Sequence, residues 1–127
     1  MRNTAIICLL GVGAGLLAAP APTVCVTMSI VTVTAYHPGV YDPSTFIKGV
    51  TASGIKVKEG IVAVSRDVEQ SLNLDFGDRV LLQGLGVFEF QDRMAARCRK
   101  KVDIFMKSKK EAIIFGVRRY VVLVKMA

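Results

Sequence analysis

Two aspartates are the first residues in this chain whose setting could do chemistry. Asp103 lies inside Val102-Asp103-Ile104-Phe105-Met106. Read as a strand, this run puts Val102, Ile104 and Met106 on one face, so Asp103 points the opposite way, beside Phe105. A carboxylate fixed there is poorly solvated, which favours its protonated form, and general acid chemistry needs such a group. The plainer alternative is a hydrogen-bonded strand residue with no chemistry. Asp92 ends Val87-Phe88-Glu89-Phe90-Gln91, where the phenylalanines share a face and Glu89 and Gln91 take the other. On an adjacent strand, Asp92 would hold a proton on Asp103 by like-charge repulsion.

The elements that must position these side chains run from Gly86 to Gly116: strand, basic loop, strand, helix. Ser108-Lys109-Lys110-Glu111 has the form of a capping box, and Gly116 suits a helix end. Upstream, Val24-Cys25-Val26-Thr27-Met28-Ser29-Ile30 alternates, and from Val31 the apolar phase shifts, which predicts a bulge or bend. Residues 38–54 are loop-like. Gly60-Ile61-Val62-Ala63-Val64 predicts a buried strand. Ser65 to Leu72 predicts a short helical turn with Ser65 as N-cap. Asp75 to Asp78 predicts a turn, Arg79 to Gln83 a strand, and the apolar run Tyr120 to Val124 a strand buried on both sides. Six or seven short strands with one late helix predict a small barrel or sandwich.

The 127 residues allow one domain, and the formal charge is +7. Met1-Arg2-Asn3, the apolar run from Thr4 to Ala18, and Ala19-Pro20-Ala21 have the layout of a secretory signal peptide. The expectation is a leader over 1–21, a domain over 22–127, and an exported product in the periplasm, outer membrane or extracellular space. The alternative is a retained anchor. The positive charge is concentrated at Arg93, Arg97, Arg99, Lys100, Lys101, Lys107, Lys109 and Lys110. On an exported protein it would answer to acidic envelope polymers or anionic lipid headgroups rather than nucleic acid. Its plainest role is solvation. Export also opens a Cys25–Cys98 bridge as a possibility. His37 is alone and no C-x-x-C occurs, so no zinc site or other cofactor is expected; His37 is read as a turn residue.

Several pieces stand in a recognisable order: Thr34-Ala35-Tyr36, Thr51-Ala52-Ser53-Gly54, Gly60-Ile61-Val62-Ala63-Val64, Phe76-Gly77-Asp78-Arg79-Val80, Gly84-Leu85-Gly86, Gln91-Asp92-Arg93, Val102-Asp103-Ile104-Phe105, and Ala112 through Gly116. Together they resemble the three-aspartate, or "3D", domain. That family is all-β, a six-stranded double-psi β-barrel found in stationary-phase muralytic proteins and in membrane-bound lytic transglycosylase A. RlpA-like proteins are more distant relatives.

The resemblance implies cleavage of peptidoglycan glycan strands by a lytic transglycosylase or related glycosidase acting in cell-wall turnover; a monomer is expected. It implies Asp103 as the catalytic acid and Asp92 as its partner aspartate. The first aspartate of the family falls at Ser65, with Asp67 two residues on. Tyr36, Thr51, Ser53 and Arg93 would flank the sugar groove, with Tyr36 stacking on a sugar or serving as a plain strand residue. A glycan-binding module on the same barrel, without catalysis, is the alternative. A tri-aspartate metal site ranks below both.

Overall fold

The computed structural model describes the backbone of residues 4–10, 23–37 and 49–126, and the side chains of residues 27–37 and 49–126. It is mostly β. The elements are β1 (Thr4–Leu10), β2 (Thr23–Tyr36), β3 (Ile61–Val64), α1 (Arg66–Ser71), β4 (Arg79–Leu82), β5 (Gly86–Arg93), β6 (Lys101–Phe105), α2 (Lys109–Phe115) and β7 (Arg118–Lys125). Six strands close a ring of hydrogen-bonded neighbours, β2-β6-β3-β5-β4-β7 and back to β2. The segment expected as a leader contributes β1, antiparallel to the first half of β2, with Cys8 opposite Cys25 in the register. Two pairings in the ring are parallel, β2 with β6 and β3 with β5. The other four are antiparallel.

The interior is filled by alternate residues of these strands. Val31, Val33, Val62, Val64, Val80, Leu82, Phe90, Val102, Ile104 and Leu123 are all buried there. β-Branched side chains fit a pleated surface and lose little freedom on it, which is why such valine-rich runs settle as strands. The α1 segment adds Val68, Leu72 and Leu74 to the same core. Asp75–Asp78 forms the expected turn, with Asp78 N–H on the Asp75 carbonyl and Gly77 at φ +98°. Ser108 caps α2 by accepting from the Glu111 N–H at 3.1 Å, and the helix ends at Gly116 with φ +66°. His37 hydrogen-bonds the Met106 carbonyl through Nδ1 at 3.1 Å and stacks on Phe105.

Two expectations, on β7 and on Ser65, need correction. β2 is one continuous strand with Ser29, Val31 and Val33 all inward, and Ile30 outward. The irregularity expected near Val31 is a register shift in its pairing with β7, where Val31 meets Val121 and Val33 meets Arg118. The extra β7 residue is accommodated at Tyr120, whose φ is +58°. β7 is not buried on both sides: Leu123 is interior, whereas Tyr120 is 85% exposed, because the outer face of β7 is uncovered there. Ser65 stands at the N-cap of α1 but its hydroxyl does not cap the helix. It accepts from the Lys101 N–H at 3.1 Å instead. The short helical turn expected from Ser65 to Leu72 is α1, and the late helix is α2. The loop expected over 38–54 lies outside the described residues up to 48, and residues 49–57 form turns around an isolated bridge between Val50 and Lys56.

Phe90 is the largest fully buried side chain of the interior. Phe90→Ala should lower unfolding stability by about 3–5 kcal/mol, read by urea denaturation. A loss below about 1 kcal/mol would mean that the ring does not close on this residue.

Candidate functional site

The site is built on one register level of the ring. In the centre strand β3, Ala63 stands opposite Asp103 of β6 on one side and opposite Asp92 of β5 on the other. On the far side of β6, Asp103 stands opposite Thr34 of β2. Val62 and Val64 point into the core, so Ala63 and its partners lie on the outer face.

Strict alternation would have spoiled this arrangement. Phe88 and Phe90 pack towards the core, so Asp92, two residues on, should also point inward. The register between β3 and β5 shifts instead: Val62 pairs with Phe90, but Ala63 pairs with Asp92. Gln91 is the extra residue of a bulge, and one extra residue reverses the facing of everything after it. The bulge is held from outside by Ser53 N–H on the Gln91 carbonyl at 3.1 Å and by the Gln91 amide on the Glu89 carboxylate. Asp92 was expected on a strand adjacent to Asp103. The two strands are separated by β3, which puts their backbones about 10 Å apart. Ala63, the small residue between them, leaves the gap open.

That gap is a pocket of about 280 Å³ lined by Tyr36, Ala63, Asp92, Asp103, Arg93 at the end of β5, and Met94, Ala95, Arg97 and Cys98 of the β5–β6 loop. Among the described residues Cys98 has no disulfide partner, and the side chain of Cys25, its expected partner, lies outside them. The Tyr36 hydroxyl donates to Asp92 Oδ2 at 3.3 Å. Asp92 Oδ1 accepts from the Ala52 N–H and from the Arg93 N–H, both at 2.9 Å. Asp103 accepts a hydrogen bond from the Thr34 hydroxyl. Burial pushes the Asp103 carboxyl above the ordinary aspartate range, Lys101 pulls it back, and the charge of Asp92 adds to the rise. The Tyr36 phenol is raised beyond its ordinary range, first by burial and then by Asp92.

The other expected residues have different employment. Asp67 is not a pocket residue; its carboxylate accepts from the Lys100 N–H at 3.0 Å. Burial alone would raise Asp67, but hydrogen bonds from Ser65, Lys100 and Val68 outweigh it and leave the carboxyl below its usual range. It therefore ties the end of the β5–β6 loop, where Lys100 has φ +50°, to α1. Arg93 lines the pocket but is engaged: its guanidinium grips Glu69 through two bonds of 2.6 Å and lies 5.0 Å from the Phe76 ring centre. Thr51 and Ser53 face each other at 2.8 Å within a turn. That turn delivers the Ala52 N–H to Asp92, but neither hydroxyl lines the pocket. Among the described residues, no group of three carboxylate, histidine or cysteine side chains is placed to hold a metal ion.

Thr34, the Ala52 amide and Ala63 were missed as site components. The alternation of β2 puts Thr34 on the face opposite Val31 and Val33, and the run Ile61–Val64 reads only as a buried strand; the pairing of those strands with β6 is what brings Thr34 and Ala63 to Asp103. No family model matches the chain, and no curated protein matches it either.

The two perturbed aspartates should leave opposite traces in stability. Asp103 is raised by folding, so its contribution is fully present below the ordinary aspartate pKa and is lost as pH rises through the raised value. Asp67 is lowered, so its contribution is present above the ordinary value and is lost as pH falls through the lowered one. Urea denaturation across the acid-to-neutral range should show Asp103→Asn gaining on the wild type as pH rises. Asp67→Asn should lose ground over the same change. Parallel curves for both variants would contradict the assignment.

Proposed function

We propose that the chain is a double-psi β-barrel of the three-aspartate type that cleaves peptidoglycan glycan strands, with Asp103 as the general acid and base. The observation that carries this reading is the setting of Asp103. It is half-buried, raised in pKa, and faces an open pocket that also holds Asp92. The closed six-strand ring supports the fold part. So do its two parallel pairings, since parallel neighbours in so small a sheet require crossing connections.

Glycosidic cleavage needs a protonated carboxyl beside the leaving oxygen. Asp103 donates its proton to the bridging oxygen as the C1–O bond breaks. In the lytic course, Asp103 then takes the proton of the sugar's C6 hydroxyl as that oxygen bonds to C1, which returns the carboxyl to its starting state. Asp92, oriented by two amides, stabilises the positive charge that develops at C1 and raises Asp103. The Tyr36 hydroxyl keeps Asp92 oriented. The pocket is at or below the lower end of ligand-site volumes, about 300–1,000 Å³. It suits a single sugar of a polymer lying across the ring.

The second reading is a glycan-binding module on the same barrel, without turnover. It is favoured by Ser65 and Asp67. The position of the family's first aspartate carries a buried hydroxyl committed to Lys101, and Asp67 holds Lys100.

Incubation with purified sacculi separates the two. The wild type should release soluble glycan fragments, and Asp103→Asn should release about 10²–10⁴-fold less while still sedimenting with sacculi. Sedimentation without release by the wild type would leave the binding module. Equal release by both proteins would remove Asp103 from the chemistry.

A further inference from the structure

The corner where α2 meets β7 carries a second surface, distinct from the pocket. α2 has no buried residue. It leans on the ring through Phe115, which packs against the core, and turns its aliphatic residues outward. Ile113 is 68% and Ile114 73% exposed, and Val117 and Tyr120 continue the apolar surface at 56% and 85%. Single exposed apolar side chains are ordinary, but four large ones between residues 113 and 120 make a patch that soluble surfaces avoid without a reason. Beside it, Leu85, Val117 and Val121 line a shallow pocket of about 360 Å³ together with Arg118 and Arg119.

Charge decides what can cover this patch. Lys109 and Lys110 lie one helical turn before Ile113 and Ile114, on the same faces of α2. Arg118 and Arg119 follow Val117, with Arg118 laid over the Phe115 ring at 5.2 Å. From 107 to 127, Glu111 is the only acidic residue. None of the four cations forms an ion pair among the described residues; Lys107, nearby, is paired with Glu59. A second copy would bring the same cations against each other. Nucleic acid would answer the charge but leave the isoleucines unburied. An anionic bilayer surface meets both demands, with aliphatic tips entering the headgroup boundary and cations meeting phosphates.

We propose that the α2–β7 corner is a peripheral docking surface for anionic phospholipid bilayers. Ile113 and Ile114 insert, Val117 and Tyr120 widen the inserted face, and Lys109, Lys110, Arg118 and Arg119 contact headgroup phosphates. The expected attachment is reversible, because the apolar area is small and the electrostatic part is screened by salt. This surface is independent of the glycan-cleaving reading.

The test is co-sedimentation of the full chain with phosphatidylcholine vesicles, with and without phosphatidylglycerol, at low and high salt. The wild type should bind the anionic vesicles, more weakly as salt rises. The Ile113→Ser, Ile114→Ser double variant should bind about tenfold or more weakly with an unchanged thermal melt, since both side chains are exposed. Arg118→Glu with Arg119→Glu should also reduce binding, and should do so most at low salt. Absence of wild-type binding to anionic vesicles would overturn the proposal. So would equal binding by the isoleucine variant, which would place attachment elsewhere on the chain. Wild-type self-association in sedimentation velocity that the isoleucine variant abolishes would make the corner a homotypic interface and overturn it likewise.

Discussion

One extra residue in β5 governs the candidate site. Without the bulge at Gln91, Asp92 would follow Phe88 and Phe90 towards the core, where an unpaired carboxylate costs several kcal/mol or gives up its charge. With it, Asp92 emerges on the outer face at the level of Ala63 and Asp103. The surrounding contacts secure that register. The 51–55 turn holds Gln91 through Ser53 and Asp92 through Ala52, and Tyr36 reaches Asp92 from β2. Ala63 completes the arrangement by being small. A larger residue there would fill the space between the two carboxylates.

The three aspartates show how environment divides one residue type into different employments. Asp92 receives two amide donors and a phenol, which fix the direction of its carboxyl group. Asp103 receives one hydroxyl from Thr34 and loses solvation, the setting of a group that keeps its proton longer. Asp67 receives the Lys100 amide and becomes a fastening for the basic loop. The same loop lines the pocket through Met94, Ala95, Arg97 and Cys98, so Asp67 acts on the pocket through the chain rather than by contact. The Arg93–Glu69 pair does the same from the α1 side.

Much of this was legible from local pattern. The alternation around Asp103 put it on the outer face, as found. The capping residues of α2 and the buried run Ile61–Val64 also followed from sequence alone, because each depends on neighbours within one turn or one strand. What escaped depends on pairing. Gln91 carries no local mark of a bulge; the extra residue exists only relative to β3. Asp92 looked adjacent to Asp103 because they are close in sequence, yet β3 is inserted between their strands. The run Tyr120–Val124 looked buried on both sides because its composition does not reveal that the ring's outer face is open to water. Ser65 looked like a cap because its position was right; the Lys101 amide, 36 positions away, claimed its hydroxyl first.

The central claim is that a single level of the ring holds Asp103 protonated above the range of an ordinary aspartate, partly through Asp92. Carboxyl-carbon NMR titration of Asp103, in the wild type and in Asp92→Asn, measures this directly. The account expects a wild-type midpoint above the free aspartate value of about 3.9, and a downward shift when the Asp92 charge is removed. A wild-type midpoint at or below that value, or one indifferent to Asp92→Asn, would contradict it.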